Sequence, residues 1–147
     1  MKSLWEPAVR AELLARAARL TPDHRPRWGR MTADQMVSHL VQTCRMGTGE
    51  LPVRPVKLLT RHWPLNVLIA YFMPFPRNLP TVKPLLARPP EGMQRDLATL
   101  SACLESFARS THRTDWPEHP ALGRLSGQAW ARLGYRHMDH HLRQFGV

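Results

Sequence analysis

The sequence predicts an all-α fold in a single domain that spans residues 1–147. Apolar residues recur at every third or fourth position in four segments, several of these segments begin with helix-capping residues, and no segment alternates like a strand. A length of 147 residues and an apolar fraction of 43% suit one globular domain with a sizeable core. We therefore expect a four-helix bundle with a long proline-rich crossover between its second and third helices.

Two of the four helices are expected to supply core contacts and no chemistry. The first is predicted at about residues 4–20, where Ser3 and Glu6 have the spacing of a capping box. The third is predicted at about residues 91–109. Its buried stripe consists of apolar residues at helical spacing: Met93, Leu97, Leu100, Leu104 and Phe107.

The second helix brings one histidine to an inward position. Thr32 and Gln35 form a capping box at its start, and Gly47 and Gly49 are expected to end it. His39 shares a face with neighbours that are typical of a buried position. A lone histidine there is more often a hydrogen-bonded core residue than a metal ligand, so His39 needs partners to become a candidate.

The crossover, residues 50–90, is the least regular part of the chain and contains nine prolines. One or two short helices are expected between Pro55 and Phe72, interrupted near Pro64. A connection of this length can cross a bundle or cover a site. Four aromatic residues are expected to anchor it in the core: Trp63, Tyr71, Phe72 and Phe75.

The last helix holds the densest group of histidines in the chain, after an N-cap expected at Ser126. His137 and His141 are four residues apart on one stripe, so their Cβ atoms lie about 5–6 Å apart and both rings can reach one ion. His140 lies toward the edge of that stripe, and Gln144 follows the pair by one turn. The pair needs a third ligand from elsewhere in the chain.

The cysteines and the remaining histidines are expected to have plainer roles. Cys44 and Cys103 lie in unrelated helical patterns without a CxxC spacing, which favours reduced thiols in a cytoplasmic protein. His140 is either a proton carrier beside the site or an exposed, hydrogen-bonded residue. Histidines in loops or irregular segments are expected at the surface: His24, His62, His112 and His119.

The formal charge of +10 comes from eighteen Arg and three Lys against eleven acidic residues. This balance suits nucleic acid or another anionic partner, but the arginines are scattered, as on a solvated surface. The longest apolar run, from Pro64 to Phe75, is too short to span a bilayer. We therefore expect a cytoplasmic protein without a membrane partner, and nucleic acid is the less favoured partner.

Three regions of the chain resemble a known family. The pattern Trp28-Gly29-Arg30-Met31-Thr32, followed by Gln35-Met36-Val37-Ser38-His39-Leu40, is similar to the second-helix entry of the DinB-like superfamily of metalloenzymes. Residues 119–126, Trp130, residues 135–147 and residues 73–81 resemble a branch of it that has no assigned function. The resemblance implies a four-helix bundle in which His39, His137 and His141 hold a divalent metal ion.

The resemblance also implies a metal-dependent enzyme of thiol transferase or hydrolase type. Three neutral imidazoles hold Zn²⁺ or Ni²⁺ and leave an open position for water or a thiol. The expected partner is a small-molecule substrate, with a thiol as one candidate, and Gln144 and His140 are expected to orient a ligand or bound water. The alternatives are a non-catalytic metal- or ligand-binding bundle, a homodimer being one form of it, and an arginine-driven nucleic-acid binder.

Overall fold

The computed structural model describes residues 1–77, 85 and 89–147, and this part of the chain is helical without a strand. Its elements are α1 (Pro7–Ala17), α2 (Ala33–Thr48), a 3₁₀ helix (Leu59–Arg61), α3 (Leu65–Tyr71), α4 (Met93–Arg109) and α5 (Gly127–Gln144). The all-α prediction is confirmed for these residues. No helix in the described ranges has the length and apolar content needed to cross a bilayer.

The four long helices surround one apolar core. α2 lies against α4 and α5, and α1 also contacts both of them. Each long helix contributes a leucine with almost no exposed surface: Leu13, Leu40, Leu100 and Leu142. Burial of one such side chain contributes about 1.5–3 kcal/mol, so the core holds these helices in place and thereby positions the polar residues between them.

The connection between α2 and α4 contains a fifth helix, α3, which packs on α5 and on the 3₁₀ helix. The short helices predicted between Pro55 and Phe72 are therefore confirmed. The finer prediction, a four-helix bundle joined by one long crossover, is only partly tested. Residues 78–84 and 86–88 of the predicted crossover lie outside the described residues.

Two of the four aromatic anchors predicted for the crossover are wrong. The side chains of Trp63 and Phe72 are 80% and 62% exposed, whereas Tyr71 and Phe75 are partly buried. The physical reason is the short length of α3, which buries one narrow face through Asn66 and Ala70. An aromatic residue off that face has no core to enter and remains at the surface.

Local capping fixes where the two histidine-bearing helices begin. At the start of α2, Thr32 Oγ1 accepts from the Gln35 N–H at 3.3 Å while Gln35 Oε1 accepts from the Thr32 N–H at 2.9 Å. At the start of α5, Ser126 Oγ accepts from the Ala129 N–H. Both predicted caps are confirmed, although α2 continues through Gly47 and ends where Gly49 adopts a positive φ of 89°.

The predicted bounds of the first helix, residues 4–20, are wrong at both ends. The helix begins at Pro7, and Glu6 is its N-cap in an extended conformation. A residue before proline is disfavoured in the α region, and this restriction outweighs the capping box predicted at Ser3. Only half of that box forms, since the Ser3 N–H donates to Glu6 while Ser3 Oγ accepts from Trp5.

Candidate metal centre

Three histidines from two helices meet inside the protein. His39 from α2 and the pair His137 and His141 from α5 each contribute one nitrogen to a group within 4.8 Å of one another. Nε2 of His137 lies 3.3 Å from Nε2 of His39 and 3.1 Å from Nε2 of His141. The structure thus brings together the three residues that the sequence singled out. Their role as ligands stays a prediction.

Two of the three nitrogen separations match those around a first-row divalent ion. A metal–nitrogen bond of about 2.0–2.1 Å places two ligand nitrogens about 2.9 Å apart at a right angle and about 3.4 Å apart at a tetrahedral angle. The separations of His137 Nε2 from the other two Nε2 atoms, 3.1 and 3.3 Å, fall in this interval. All three ligand nitrogens lie within 4.8 Å of one another, so the group could hold one metal ion.

The second nitrogen of His39 fixes which of its ring atoms carries the proton. Nδ1 lies 3.3 Å from the carbonyl oxygen of Leu85, which can only accept. In the neutral imidazole Nδ1 therefore holds the hydrogen, and Nε2 presents a lone pair toward the other two histidines. A ligand histidine whose other N–H donates to a carbonyl is the usual arrangement in metal sites.

The same argument applies to His141 through Gln144. The amide Nε2 of Gln144 donates to the carbonyl oxygen of Trp28 at 2.6 Å, so its Oε1 faces His141. That oxygen accepts from Nδ1 of His141 at 2.8 Å. Nδ1 is consequently protonated, and Nε2 of His141 also presents a lone pair to the centre. Gln144 is 3% exposed, so this contact is protected from water.

Two lone pairs therefore converge on His137, whose Nε2 can hold at most one hydrogen. Without a cation, that single hydrogen would have to serve two acceptors at 3.1 and 3.3 Å. Buried acceptors that lack a donor are costly, by about 1–3 kcal/mol each. A divalent ion satisfies all three nitrogens at once, which makes the arrangement consistent with a metal centre.

Burial keeps these imidazoles neutral and able to act as ligands. It lowers the pKa of His39 below the ordinary value and lowers that of His141 to about 3. Burial, followed by the proximity of His141 and His39, holds the pKa of His137 well below its usual range. At neutral pH the three rings are therefore uncharged, so protons do not compete with a metal ion for their nitrogens.

The three histidines line a cavity of about 870 Å³. Most of its wall is apolar, with contributions from Leu4, Ile69, Phe107, Trp130 and Leu133. No Asp, Glu or Lys is found among the described lining residues, and Arg30 supplies the charged group. The size is in the range of small-molecule sites, which combine an apolar wall with a few placed polar groups.

His140 lies next to the cluster but does not join it. Its ring centroid is 5.3 Å from that of His141 and 5.6 Å from those of Trp28 and Phe75. Burial lowers its pKa, and it also lines the cavity. The neighbouring Asp139 points away, since it forms ion pairs with Arg16 and Arg143. A role for His140 in orienting a ligand stays a prediction.

His119 was predicted at the surface, and this prediction is wrong. The residue is only partly exposed, its ring packs 5.2 Å from that of Trp130, and it lines the same cavity. Nδ1 accepts from the N–H groups of Ala121 and Leu122, so the hydrogen of the neutral ring is on Nε2. Burial lowers its pKa to about 4. The sequence signal for this position of His119 on the cavity wall is weak, because it consists only of a histidine followed by a tight turn.

The two cysteines are also closer than their sequence patterns indicated. Cys44 of α2 lies on the cavity wall, close to Cys103 of α4. The neighbouring Cys103 thiol, followed by burial, raises the pKa of Cys44 well above its usual value. Both cysteines are free. Cys44 is therefore a poor nucleophile at neutral pH, because the thiolate is the reactive form.

Comparison with known families identifies one match over nearly the whole chain. Residues 8–146 match the model of a family described as Protein of unknown function (DUF1569). The prediction of a DinB-like protein is therefore wrong, because the matching model is that of this family and not of a DinB-like one. Short capping motifs and paired histidines recur in many helical proteins and do not define a family by themselves. Comparisons with curated proteins and with solved structures give no match.

Proposed function

We propose that this chain, which belongs to the DUF1569 family of unknown function, binds one divalent metal ion through His39, His137 and His141 and uses it as a metal-dependent enzyme. The observation that carries the proposal is the convergence of two Nε2 lone pairs on a third ring nitrogen at 3.1 and 3.3 Å. Zn²⁺ or Ni²⁺ is the ion that we propose, since both are bound by imidazole ligands.

The surroundings of the three nitrogens support a catalytic site more than a structural one. Structural zinc sites use four protein ligands, whereas catalytic sites use three and keep one position for water or substrate. No fourth His, Cys, Asp or Glu of the described residues joins the group. The three histidines line a cavity of about 870 Å³, which is large enough for a small-molecule substrate to reach an ion held there.

The residues around the ion have distinct roles in this proposal. A bound divalent ion supplies a Lewis acid that lowers the pKa of a coordinated water or thiol. Gln144 holds the ring of His141 in the ligand tautomer, and Leu85 does the same for His39 through its carbonyl group. His140 and His119 border the space that a substrate would enter.

The charge of the site favours an anionic ligand. Three neutral imidazoles leave the full charge of the ion uncompensated, and no carboxylate of the described residues lines the cavity. A thiol, or the water used in hydrolysis, would meet this requirement by losing a proton on binding. We therefore infer a reaction of thiol transferase or hydrolase type on a small molecule, with a thiol as a candidate co-substrate.

A second candidate is a non-catalytic metal- or ligand-binding protein. It is favoured by the raised pKa of Cys44, which removes the one thiol on the cavity wall as a ready nucleophile. In this alternative the cavity binds a ligand without converting it. The two functions share the metal site and differ only in turnover.

The finer features of the fold belong to the same proposal. We retain a single domain, with α1, α2, α4 and α5 as a four-helix bundle and the proline-rich residues 50–90 as its crossover. A cytoplasmic location is part of the proposal, since the adjacent thiols of Cys44 and Cys103 are unpaired.

Metal analysis of protein purified without a histidine tag tests the site. We expect about one Zn²⁺ or Ni²⁺ per chain in the wild type and almost none in His39→Ala or His137→Ala. His112→Ala is the matched control, because His112 is exposed and outside the cavity. Equal metal content in all four proteins would remove the site from consideration. Circular dichroism establishes that each variant is folded.

Activity measurements then separate the enzyme from the binding protein. Thiol transfer and ester hydrolysis are assayed with wild-type protein, with and without a chelator, and with His137→Ala. Turnover that disappears with the chelator and in the variant supports the enzyme. A metal-loaded protein without turnover in either assay supports the non-catalytic alternative.

A further inference from the structure

Exposed apolar side chains are concentrated in one stretch of the chain. Of the ten large apolar residues that are exposed among those described, nine lie within residues 56–73 and the tenth is Met1. Leu59 and Trp63 are each 80% exposed. A soluble surface rarely carries so many large apolar groups together, so this stretch indicates an interaction surface.

Several of the exposed side chains share one side of α3. Leu65, Leu68 and the C-cap residue Phe72 follow the three-and-four spacing of a helix and so lie on one stripe. The 3₁₀ helix that carries Leu59 packs against α3, and Trp63 lies in the short link between them. We call the exposed apolar residues of 56–73 the 56–73 surface.

The charged side chains of the same region are all basic. The described residues 51–77 contain four Lys or Arg and no Asp or Glu. Arg54 and Lys57 are exposed beside the surface and form no ion pair with any residue that the structure describes. The nearby Arg61 is paired at 2.7 Å with Glu118.

We infer that the 56–73 surface docks on an anionic lipid bilayer. Apolar and aromatic side chains at the rim of a basic region are the combination that binds a membrane interface, with the apolar groups in the acyl boundary and the cations at the headgroups. Each Lys or Arg near an anionic surface strengthens such binding about fivefold. Arg54 and Lys57 are placed to do so.

Two other partners fit the observations less well. A second copy of the chain would bring the exposed Arg54 and Lys57 of each copy to the same contact, and like charges oppose that contact. Single-stranded nucleic acid would need aromatic groups on which bases stack, but seven of the nine exposed side chains are aliphatic. An anionic bilayer satisfies both the positive charge and the aliphatic character.

Docking at a surface is compatible with the absence of a bilayer-spanning helix among the residues that the structure describes. The sequence-based expectation of no membrane partner depended on the short apolar run from Pro64 to Phe75, which excludes only a crossing of the bilayer. Ile69 and Met73, from the same part of the chain, line the cavity that contains the three histidines. A docked protein would therefore hold this cavity close to the membrane surface.

Sedimentation of the full chain with lipid vesicles tests the inference. We expect binding to phosphatidylcholine vesicles that contain about 30% phosphatidylserine and little binding to pure phosphatidylcholine. The double variant Leu59→Ser, Trp63→Ser should bind the anionic vesicles more weakly by at least about tenfold. Both side chains are 80% exposed, so their replacement removes little packing within the fold.

Charge variants and the metal-site variant complete the test. Lys57→Glu should weaken binding more than Arg19→Glu, a matched reversal at an exposed position of the first helical region. His137→Ala should bind vesicles as the wild type does, so failure of the metal site leaves this inference intact. Equal vesicle binding by the wild type and the Leu59/Trp63 double variant would overturn it, because net charge alone would then explain the attraction.

Two further results would also overturn it. One is a wild-type dimer in solution that the Leu59/Trp63 double variant converts to a monomer, as measured by light scattering. The other is binding of a single-stranded oligonucleotide, in the absence of vesicle binding, that the same variant abolishes.

Discussion

Replacement of Gln144 by methionine should weaken metal binding although Gln144 is not itself a proposed ligand. The substitution keeps the approximate length of the side chain but removes both of its polar contacts. These are the bond from His141 Nδ1 to Oε1 at 2.8 Å and the bond from Nε2 to the Trp28 carbonyl at 2.6 Å. The His141 ring then loses the partner that fixes its tautomer and orientation.

The expected effect is a loss of about 10–100-fold in Zn²⁺ affinity, as for other partners of ligand histidines. This corresponds to about 1.4–2.8 kcal/mol of binding free energy. The free energy of unfolding of the metal-free protein should also fall, by about 1–3 kcal/mol, because the Trp28 carbonyl and the His141 N–H lose their buried partner.

The assay is competition for Zn²⁺ with a chromophoric chelator, and Gln42→Met is the matched control. Gln42 is a buried glutamine, 5% exposed, on α2, and it is not among the cavity-lining residues. The affinity of the Gln42→Met protein for Zn²⁺ should equal that of the wild type. An unchanged dissociation constant in Gln144→Met, or an equal loss in Gln42→Met, would refute the reasoning.

Three further predictions concern the stability of the fold, each measured by urea unfolding with the metal removed. Thr32→Ala removes the cap of α2 and should cost about 1 kcal/mol, whereas an unchanged midpoint would contradict the importance of the capping box. Leu100→Ala should lower the free energy of unfolding by about 2–5 kcal/mol, because the side chain is fully buried. The control Leu59→Ala, at an 80% exposed position, should change it by less than about 0.5 kcal/mol. Burial, followed by the charge of Arg61, lowers the pKa of His119 from 6.5 to about 4, so the unfolded chain takes up a proton before the folded one as the pH falls. Stability should therefore be lost between about pH 6.5 and pH 4, and this loss should be smaller in His119→Asn by up to about 3 kcal/mol; parallel pH profiles for the two proteins would contradict the assignment.

Features set by neighbouring residues could be predicted from the sequence. The capping residues Thr32 and Ser126 act within three positions, so the starts of α2 and α5 follow from the chain itself. The first helix shows the limit of this reasoning, because two local preferences compete there. The conformational restriction that Pro7 imposes on Glu6 prevails over the capping preference of Ser3.

In the candidate site, too, features set by local spacing could be predicted and contacts made by the tertiary fold could not. His137 and His141 could be paired because their spacing of four residues is local, and His39 could be added from the face that it shares in α2. The carbonyl groups of Leu85 and Trp28 could not be predicted, since any residue carries a carbonyl and only the tertiary fold brings these two to the rings.

The remaining errors also come from contacts between distant parts of the chain. The turn at residues 119–123 folds His119 back toward Trp130, and the packing of α2 on α4 brings the thiols of Cys44 and Cys103 together. The exposure of Trp63 has the same origin. Aromatic character predicts burial on average, but whether a core lies beneath a given position depends on the fold.

An ion between α2 and α5 would tie together segments that are 98 residues apart in the chain. It would act as a removable cross-link, because it closes a long loop in the folded protein that stays open in the unfolded chain. By mass action, free ion at about 100 times its dissociation constant adds about 2.7 kcal/mol to the folded state. The melting temperature would then depend on the concentration of free metal ion. At low metal concentration the packing of α2 on α5, which forms the binding site, would be less stable.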